Sequence, residues 1–266
     1  MSAGAVRFEK WEGLGNDFVV VEGVPMTPEA ARRLCDRRRG VGADGVLVVD
    51  RAPPRMSVWN ADGSRPEMCG NGLRCVAAYL VSRGVPGEGL SIATDAGARR
   101  CDVEASGGDR YEVLVEMGRA RLGEPLVVSA LGREHRFHSV DVGNPHAVTF
   151  EPYEQEAIDG LGPRVATAPA EGVNVEFCRV GAPAEGGARR IDVTVWERGV
   201  GWTLACGTGA CAVAAAACEV GLAPFGAPIQ VALPGGELRV TVAPGTRELS
   251  MRGPARRVFA GEVVIA

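Results

Sequence analysis

Cys69 and Cys206 are the residues whose type and setting best suit proton chemistry, because each opens a Cys-Gly-x-Gly run followed by an apolar, Ala-rich stretch. Stereoinversion at carbon needs two groups, one taking a proton from one face and the other returning one to the opposite face. Two like groups suit a reaction that runs both ways. A free thiol has a pKa of about 8.5, and a helix start lowers it. The helix dipole contributes about 0.3–1 kcal/mol, or ~2 in a partly buried place, which corresponds to about one pKa unit. One thiolate beside one thiol is therefore expected near neutral pH, since two thiolates would repel. A proton next to a carboxylate is far less acidic than a thiol, so stabilising the enolate-like transition state must do most of the work. Backbone N–H groups of Gly70-Asn71 and Gly207-Thr208 at the helix starts are the expected donors, and a glycine after each cysteine lets a ligand carboxylate approach.

The two cysteines lie 137 residues apart, and sliding the chain by that distance exposes an internal repeat. VWNADGSRPEMCGNGLRCVAAYLVSRG (58–84) falls on VWERGVGWTLACGTGACAVAAAACEVG (195–221) without a gap, and nine of 27 positions are identical. Roughly two or three matches are expected by chance. Each copy reads as a strand (56–60; 191–197), a glycine-containing loop, the cysteine, then an apolar helix stopped by Gly84 or Gly221. Two similar lobes follow, with equivalent helix starts expected to face one another across a cleft. Strands are expected at 18–22, 46–50, 111–117, 136–142, 173–180, 237–242 and 258–265. A surface helix is expected from Thr27-Pro28 to about Arg39, a short one from Tyr153 to Leu161, and a hinge over 118–124.

Composition narrows the alternatives. The chain has 266 residues, is 46% hydrophobic and carries a net charge of −4. It has no basic stripe for nucleic acid, no run long enough to span a membrane, and no signal-like start. A cytoplasmic enzyme is expected, in which eight cysteines are thiols before they are disulfides. No C-x-x-C pair occurs and only three histidines, at 135, 138 and 146, so no metal site is expected. The single lysine, Lys10, reads as part of an edge segment without a phosphate loop, which argues against a pyridoxal cofactor. The G-x-G-x-x-G at 40–45 precedes a strand and follows a helix, the wrong order for a dinucleotide site. Cys75, Cys211 and Cys218 on the apolar helices read as core, as do Cys35, Cys101 and Cys178. Trp59 and Trp196 read as pillars under the loops.

The sequence resembles the diaminopimelate epimerases along nearly its whole length. The matching pieces are GLGNDFVVVE (13–22), GVGADGVL (40–47), NADGSRPEMCGNGLRC (60–75), GNPH (143–146), GVNVEF (172–177) and ERGVGWTLACGTGACA (197–212). The resemblance implies an α+β fold of two pseudo-symmetric lobes, each a mixed, mostly antiparallel β-sheet or barrel wrapped around a central helix. The N-terminal lobe would hold residues 1–120, completed by a strand at 255–266, and the C-terminal lobe 121–254, with the active site between. It also implies cofactor-independent interconversion of LL- and meso-diaminopimelate, on the route to lysine and peptidoglycan, by a homodimer. Cys69 and Cys206 would be the two-base pair, assisted by His146 and Glu197. Asn16, Asn60, Asn144, Asn174, Glu197 and Arg198 would bind substrate, with backbone help from Gly70, Asn71, Gly207 and Thr208. Arg198 suits a distal carboxylate as a fork, Glu197 an ammonium, and the asparagines both ends. Gly45 stands where some members carry Gln, and Phe259 where some carry a Tyr at the dimer interface.

Three other readings compete. Proline and hydroxyproline racemases also use two cysteines, but tend to carry a histidine after the first C-G, where this chain has Asn71, and lack the E-R-G at 197–199. A thiol redox protein would pair Cys69 with Cys206, but gives no reason for the asparagines or Glu197-Arg198. A non-enzymatic amino-acid binder would exchange no α-proton with solvent.

Overall fold

The computed structural model describes residues 5–182 and 188–264. The chain divides into two compact units, Met1–Val115 together with Gly253–Ala266, and Glu116–Arg252.

In the first unit the elements are β1 (Ala5–Gly13), β2 (Asn16–Glu22), α1 (Pro28–Cys35), β3 (Gly45–Arg51), β4 (Pro54–Asn60), α2 (Gly70–Ser82), β5 (Leu90–Thr94), β6 (Gly97–Gly107) and β7 (Arg110–Arg119). From β1 to β6 the strands pair in chain order as antiparallel, parallel, antiparallel, parallel, antiparallel. The second unit begins within β7 and continues with β8 (Arg121–Leu122), β9 (Leu126–Ala130), β10 (Arg133–Asp141), β11 (Pro145–Thr149), α3 (Gln155–Ala166), β12 (Asn174–Val180), β13 (Arg189–Glu197), β14 (Gly201–Thr203), α4 (Gly207–Glu219), β15 (Ile229–Leu233), β16 (Gly236–Val242) and β17 (Glu248–Val264). The pairings β10–β11, β11–β12, β12–β13, β13–β15 and β15–β16 repeat the same alternation. The repeat thus extends well beyond the 27 residues that betray it in sequence. The short β14, folded back on β13, has no strand as its counterpart in the first unit, although the aligned segments are equal in length.

Each unit wraps its mostly antiparallel sheet around one buried helix. Along α2 every residue from Gly70 to Leu80 is buried, and α4 is buried from Gly209 to Cys218. The alanines of α4 keep that helix thin enough for strands to close on it. Both helices start on a cysteine with extended backbone, and both give way to a glycine at positive φ, Gly84 at 86° and Gly221 at 74°.

Several expectations need correction. Helix α1 ends at Cys35, not near Arg39, because Asp36 leaves the helical region and its carboxylate accepts the backbone N–H groups of Arg38 and Arg39. That turn outcompetes another helical turn. Helix α3 runs on to Ala166 although Pro163 lies inside it. The last strand starts at Glu248, ten residues before the expected 258, and Ile265 lies outside the described residues. Lys10 is not on an edge, since β1 pairs with β2 on one side and β17 on the other. Within 118–124, Ala120 N–H bonds to the Arg247 carbonyl and β8 pairs with β10, so this stretch belongs to the sheet.

Candidate active site

In the second unit, Cys206 caps α4. Its Sγ accepts the Gly209 N–H at 3.3 Å and lies 3.5 Å from the Thr208 hydroxyl. A line of polar groups leads inward from there. Asn144 Nδ2 donates to Thr208 Oγ1 at 3.4 Å, Asn144 Oδ1 meets His146 Nε2 at 3.2 Å, and His146 Nδ1 meets Glu176 Oε1 at 2.7 Å. The side chains of His146 and Glu176 are wholly buried. β11 and β12 run parallel with His146 beside Asn174, so Asn174 and Glu176, two apart on one strand, share a face.

Asn174 Oδ1 accepts the Arg198 backbone N–H at 2.9 Å and so fixes the corner after β13. Glu197 Oε1 accepts the Thr203 hydroxyl at 2.7 Å across the β13–β14 hairpin. Burial raises the Glu197 carboxyl above its ordinary value, and the charge of Glu176 adds to that. The Arg198 guanidinium is exposed and bonds to the Glu171 carbonyl.

The expectation of a lowered thiol fails at Cys206. Burial pushes this thiol well above the ordinary value, and the carboxylates of Glu197 and Glu176 push the same way. The Thr208 hydroxyl and Gly209 N–H oppose them and lose. A dipole effect of about one unit does not offset desolvation of that kind. Cys206 is therefore a thiol in this arrangement.

In the first unit, Cys69 caps α2, its Sγ accepting the Gly72 N–H at 3.4 Å, and is partly buried. Asn71 is buried and donates to Asn16 Oδ1 at 3.3 Å. Asn16 Nδ2 donates to Asp44 Oδ2 at 2.7 Å, so Asn16 is more than a turn residue. Asp44 and Asp17 are both gripped by Arg37, and Lys10 pairs with Asp17 at 2.6 Å. Burial opposes the Asp17 charge, but Arg37 and Lys10 hold its carboxyl well below the usual range. Asn60 bonds to Ser64 through both backbone and side chain, a turn contact. Gly70 and Gly207 are the first helical residues after their cysteines, and both are buried.

Sequence reasoning thus missed Glu176 and Asp44. Glu176 sits in Val-Asn-Val-Glu-Phe, where two polar residues alternate with apolar ones in a buried strand. That alternation was the available signal.

Comparison with known proteins matches the family model described as diaminopimelate epimerase over residues 8–123 and 138–258. A diaminopimelate epimerase of Desulfitobacterium hafniense is 40% identical, covering 95% of this chain and 96% of that protein. One from Desulforudis audaxviator is 42% identical, covering 98% and 100%. Among solved structures, a probable proline racemase from Agrobacterium radiobacter superposes with a TM-score of 0.73 at 16% identity, covering 98% of this chain and 93% of that one. That likeness speaks to the fold alone.

Proposed function

The chain belongs to the diaminopimelate epimerase family, and from that premise we propose that it interconverts LL- and meso-diaminopimelate without a cofactor, using Cys69 and Cys206 as a two-base pair. The observation that carries this reading is the duplicated helix start. Two cysteines cap two buried helices in the same way, each sulfur accepting the N–H of the residue three further on.

In the forward sense the Cys69 thiolate takes the α-proton, and the electron pair left on carbon spreads into the α-carboxylate. The Cys206 thiol then delivers its proton to the opposite face, leaving Cys69 a thiol and Cys206 a thiolate. The reverse reaction restores both. This requires both sulfurs to flank one α-carbon. The raised Cys206 thiol supports its assignment as the acid of the resting enzyme. Backbone N–H groups of Gly70, Asn71, Gly207 and Thr208 would hold the α-carboxylate as its charge grows. Asn16, Asn60, Asn144 and Asn174 would pair the polar ends, Glu197 an ammonium, and Arg198 the distal carboxylate. His146 would assist from behind Asn144.

We place the enzyme in the cytoplasm, supplying meso-diaminopimelate for lysine and peptidoglycan. Among the described residues no helix is long and apolar enough to cross a membrane. A homodimer would cover the exposed Val258 and Phe259 on β17, the latter stacked edge-on against Phe8.

Incubation with LL-diaminopimelate in D2O should give α-deuterated meso product, with no turnover of proline. Cys69→Ala and Cys206→Ala should each abolish epimerisation while keeping the circular dichroism of the parent. Near-parental turnover by either variant, or a preference for proline, would overturn the reading.

A further inference from the structure

The repeat aligns Arg65 with Trp202 and Glu67 with Leu204, four and two residues before the paired cysteines. Those positions make the same two contacts in both units. The first meets the tryptophan of its strand. The guanidinium carbon of Arg65 lies 5.6 Å from the centre of the Trp59 ring, and Trp202 meets Trp196 edge-on at 5.2 Å. The second is tied through its carbonyl to a two-residue hairpin turn. Glu67 accepts the Ala96 N–H at 3.2 Å in the β5–β6 turn, and Leu204 accepts the Gly235 N–H at 2.8 Å in the β15–β16 turn. The approach to each cysteine is therefore built on one plan.

What braces that approach differs. Before Cys206, β14 pairs with β13 at three positions, and the Thr203 hydroxyl bonds to Glu197. Before Cys69, residues 61–68 form no strand. An ion pair stands there instead. Arg65 Nε and Nη2 reach Asp95 Oδ2 at 3.1 and 2.8 Å, and Arg65 Nη2 lies 3.4 Å from the Ser57 hydroxyl. Arg55 on β4 takes the other oxygen of Asp95. Asp95 opens the same turn whose second residue holds Glu67, so both ties end on one hairpin tip. Its counterpart in the β15–β16 turn is Pro234, which offers an arginine no charge. Arginine thus occurs with aspartate in the first unit, and tryptophan with proline in the second.

Stability does not account for the pair. The Arg65 and Asp95 side chains are 46% and 25% exposed, and ion pairs so open to water contribute little. A planar guanidinium held between a carboxylate and an aromatic ring nevertheless fixes direction as well as distance. We infer that Arg65 and Asp95 are positioning residues for Cys69, doing for the first cysteine what the β14 hairpin does for the second. This rests on Cys69 being a proton-transfer group. Misplacing a reacting group by about 1 Å costs about 10²-fold in rate, so a contact that adds little stability can still decide turnover.

The test compares turnover with local motion. Arg65→Gln and Asp95→Asn should each lower kcat at least about tenfold, with KM within about twofold of the parent and little change in melting temperature. The double variant should cost no more than the worse single one, since both act through one contact. Arg65→Lys keeps the charge but loses the fork, and should stay impaired. Arg55→Gln breaks the other ion pair of Asp95 without touching the loop, and should keep kcat within about twofold. Hydrogen exchange read by mass spectrometry needs no substrate. In Arg65→Gln, deuterium uptake over 66–72 should rise while uptake over 203–209 stays unchanged. Unchanged uptake over 66–72 overturns the inference. So do additive losses in the double variant, parental turnover in Arg65→Lys, or an Arg55→Gln as impaired as Arg65→Gln. A parent that does not epimerise diaminopimelate would refute the proposed function, and the exchange measurement would still decide whether Arg65 holds the Cys69 loop.

Discussion

Replacing Gly209 by alanine tests the packing around Cys206 against a built-in control. An added methyl at 209 would lie 2.6 Å from Glu176 Oε1 and 3.2 Å from both Cβ and Sγ of Cys206. None of these can yield freely. The carboxylate is held by His146 at 2.7 Å in a site closed to water, and the cysteine is fixed as the helix cap. Overpacking of this sort costs about 1–3 kcal/mol. Pushing Glu176 off His146 forfeits a charged hydrogen bond of about 1.5–3 kcal/mol. Alanine returns about 1 kcal/mol of helix propensity. The net loss is roughly 1.5–5 kcal/mol, which at about 2–4 °C per kcal/mol lowers the melting temperature by at least about 3 °C. Gly72→Ala is the control, for there the close neighbour is Leu47 Cδ2, the movable end of an aliphatic side chain. Its cost should stay within about 1 kcal/mol of zero. Urea and thermal unfolding of both variants, with epimerase activity in parallel, would measure the difference. A Gly209→Ala protein as stable as Gly72→Ala, with unchanged activity, would refute the claim that a rigid carboxylate fills the space behind Cys206.

Other outcomes follow from the same contacts. Burial raises the thiols of Cys75, Cys178 and Cys206 above the ordinary thiol value, so the fold keeps protons that the unfolded chain releases. Their contribution to stability is therefore present below the ordinary thiol value of about 8.5 and is lost as the pH rises above it. Urea titrations from pH 8 to 10 should show the decline, and Cys178→Ala should make it shallower by one proton; an unchanged slope would count against burial as the cause. Asp44→Asn gives up one of the oxygens that hold Asn16, the Asp17 N–H and Arg37. It should raise KM by about tenfold, near the value of a charged hydrogen bond; an unchanged KM would remove Asn16 from substrate binding. Arg198→Ala should weaken diaminopimelate binding by at least about tenfold, and Arg198→Lys should restore little of it because the fork is lost; calorimetric titration decides.

The helices that carry the cysteines were legible because three signals agree at each. A repeat marks them, an apolar run fills them and a glycine ends them. The strands were harder. β17 carries 17 residues and β6 eleven, with exposed and half-buried positions interspersed, so alternation fades and their ends cannot be read. Helix α1 was overextended because a run of arginines looks like a solvated last turn, whereas Asp36 folds the backbone over and delivers Arg37 to Asp17 and Asp44. The thiol shift at Cys206 was misjudged in sign. Local sequence shows the helix start, but not the burial that outweighs it, nor the carboxylates that add to it from β12 and β13, 30 and nine residues upstream. Glu176 hid in a quoted motif because a single glutamate in a strand ordinarily faces water.

The split of the final strand bears on how the polypeptide matures. Residues 248–252 of β17 belong to the second unit, while β17 from 253 onward lies along β1 through eight paired positions, from Ala5 with Val264 to Glu12 with Arg256. As a ribosome releases the chain, β1 gains β2 on one side early, but its other side waits for the segment from 253 onward. The second unit is continuous in sequence and has no such wait. Vectorial synthesis would therefore leave β1 with an open flank, a natural client for a holdase chaperone, until the segment from 253 onward is made and covers it.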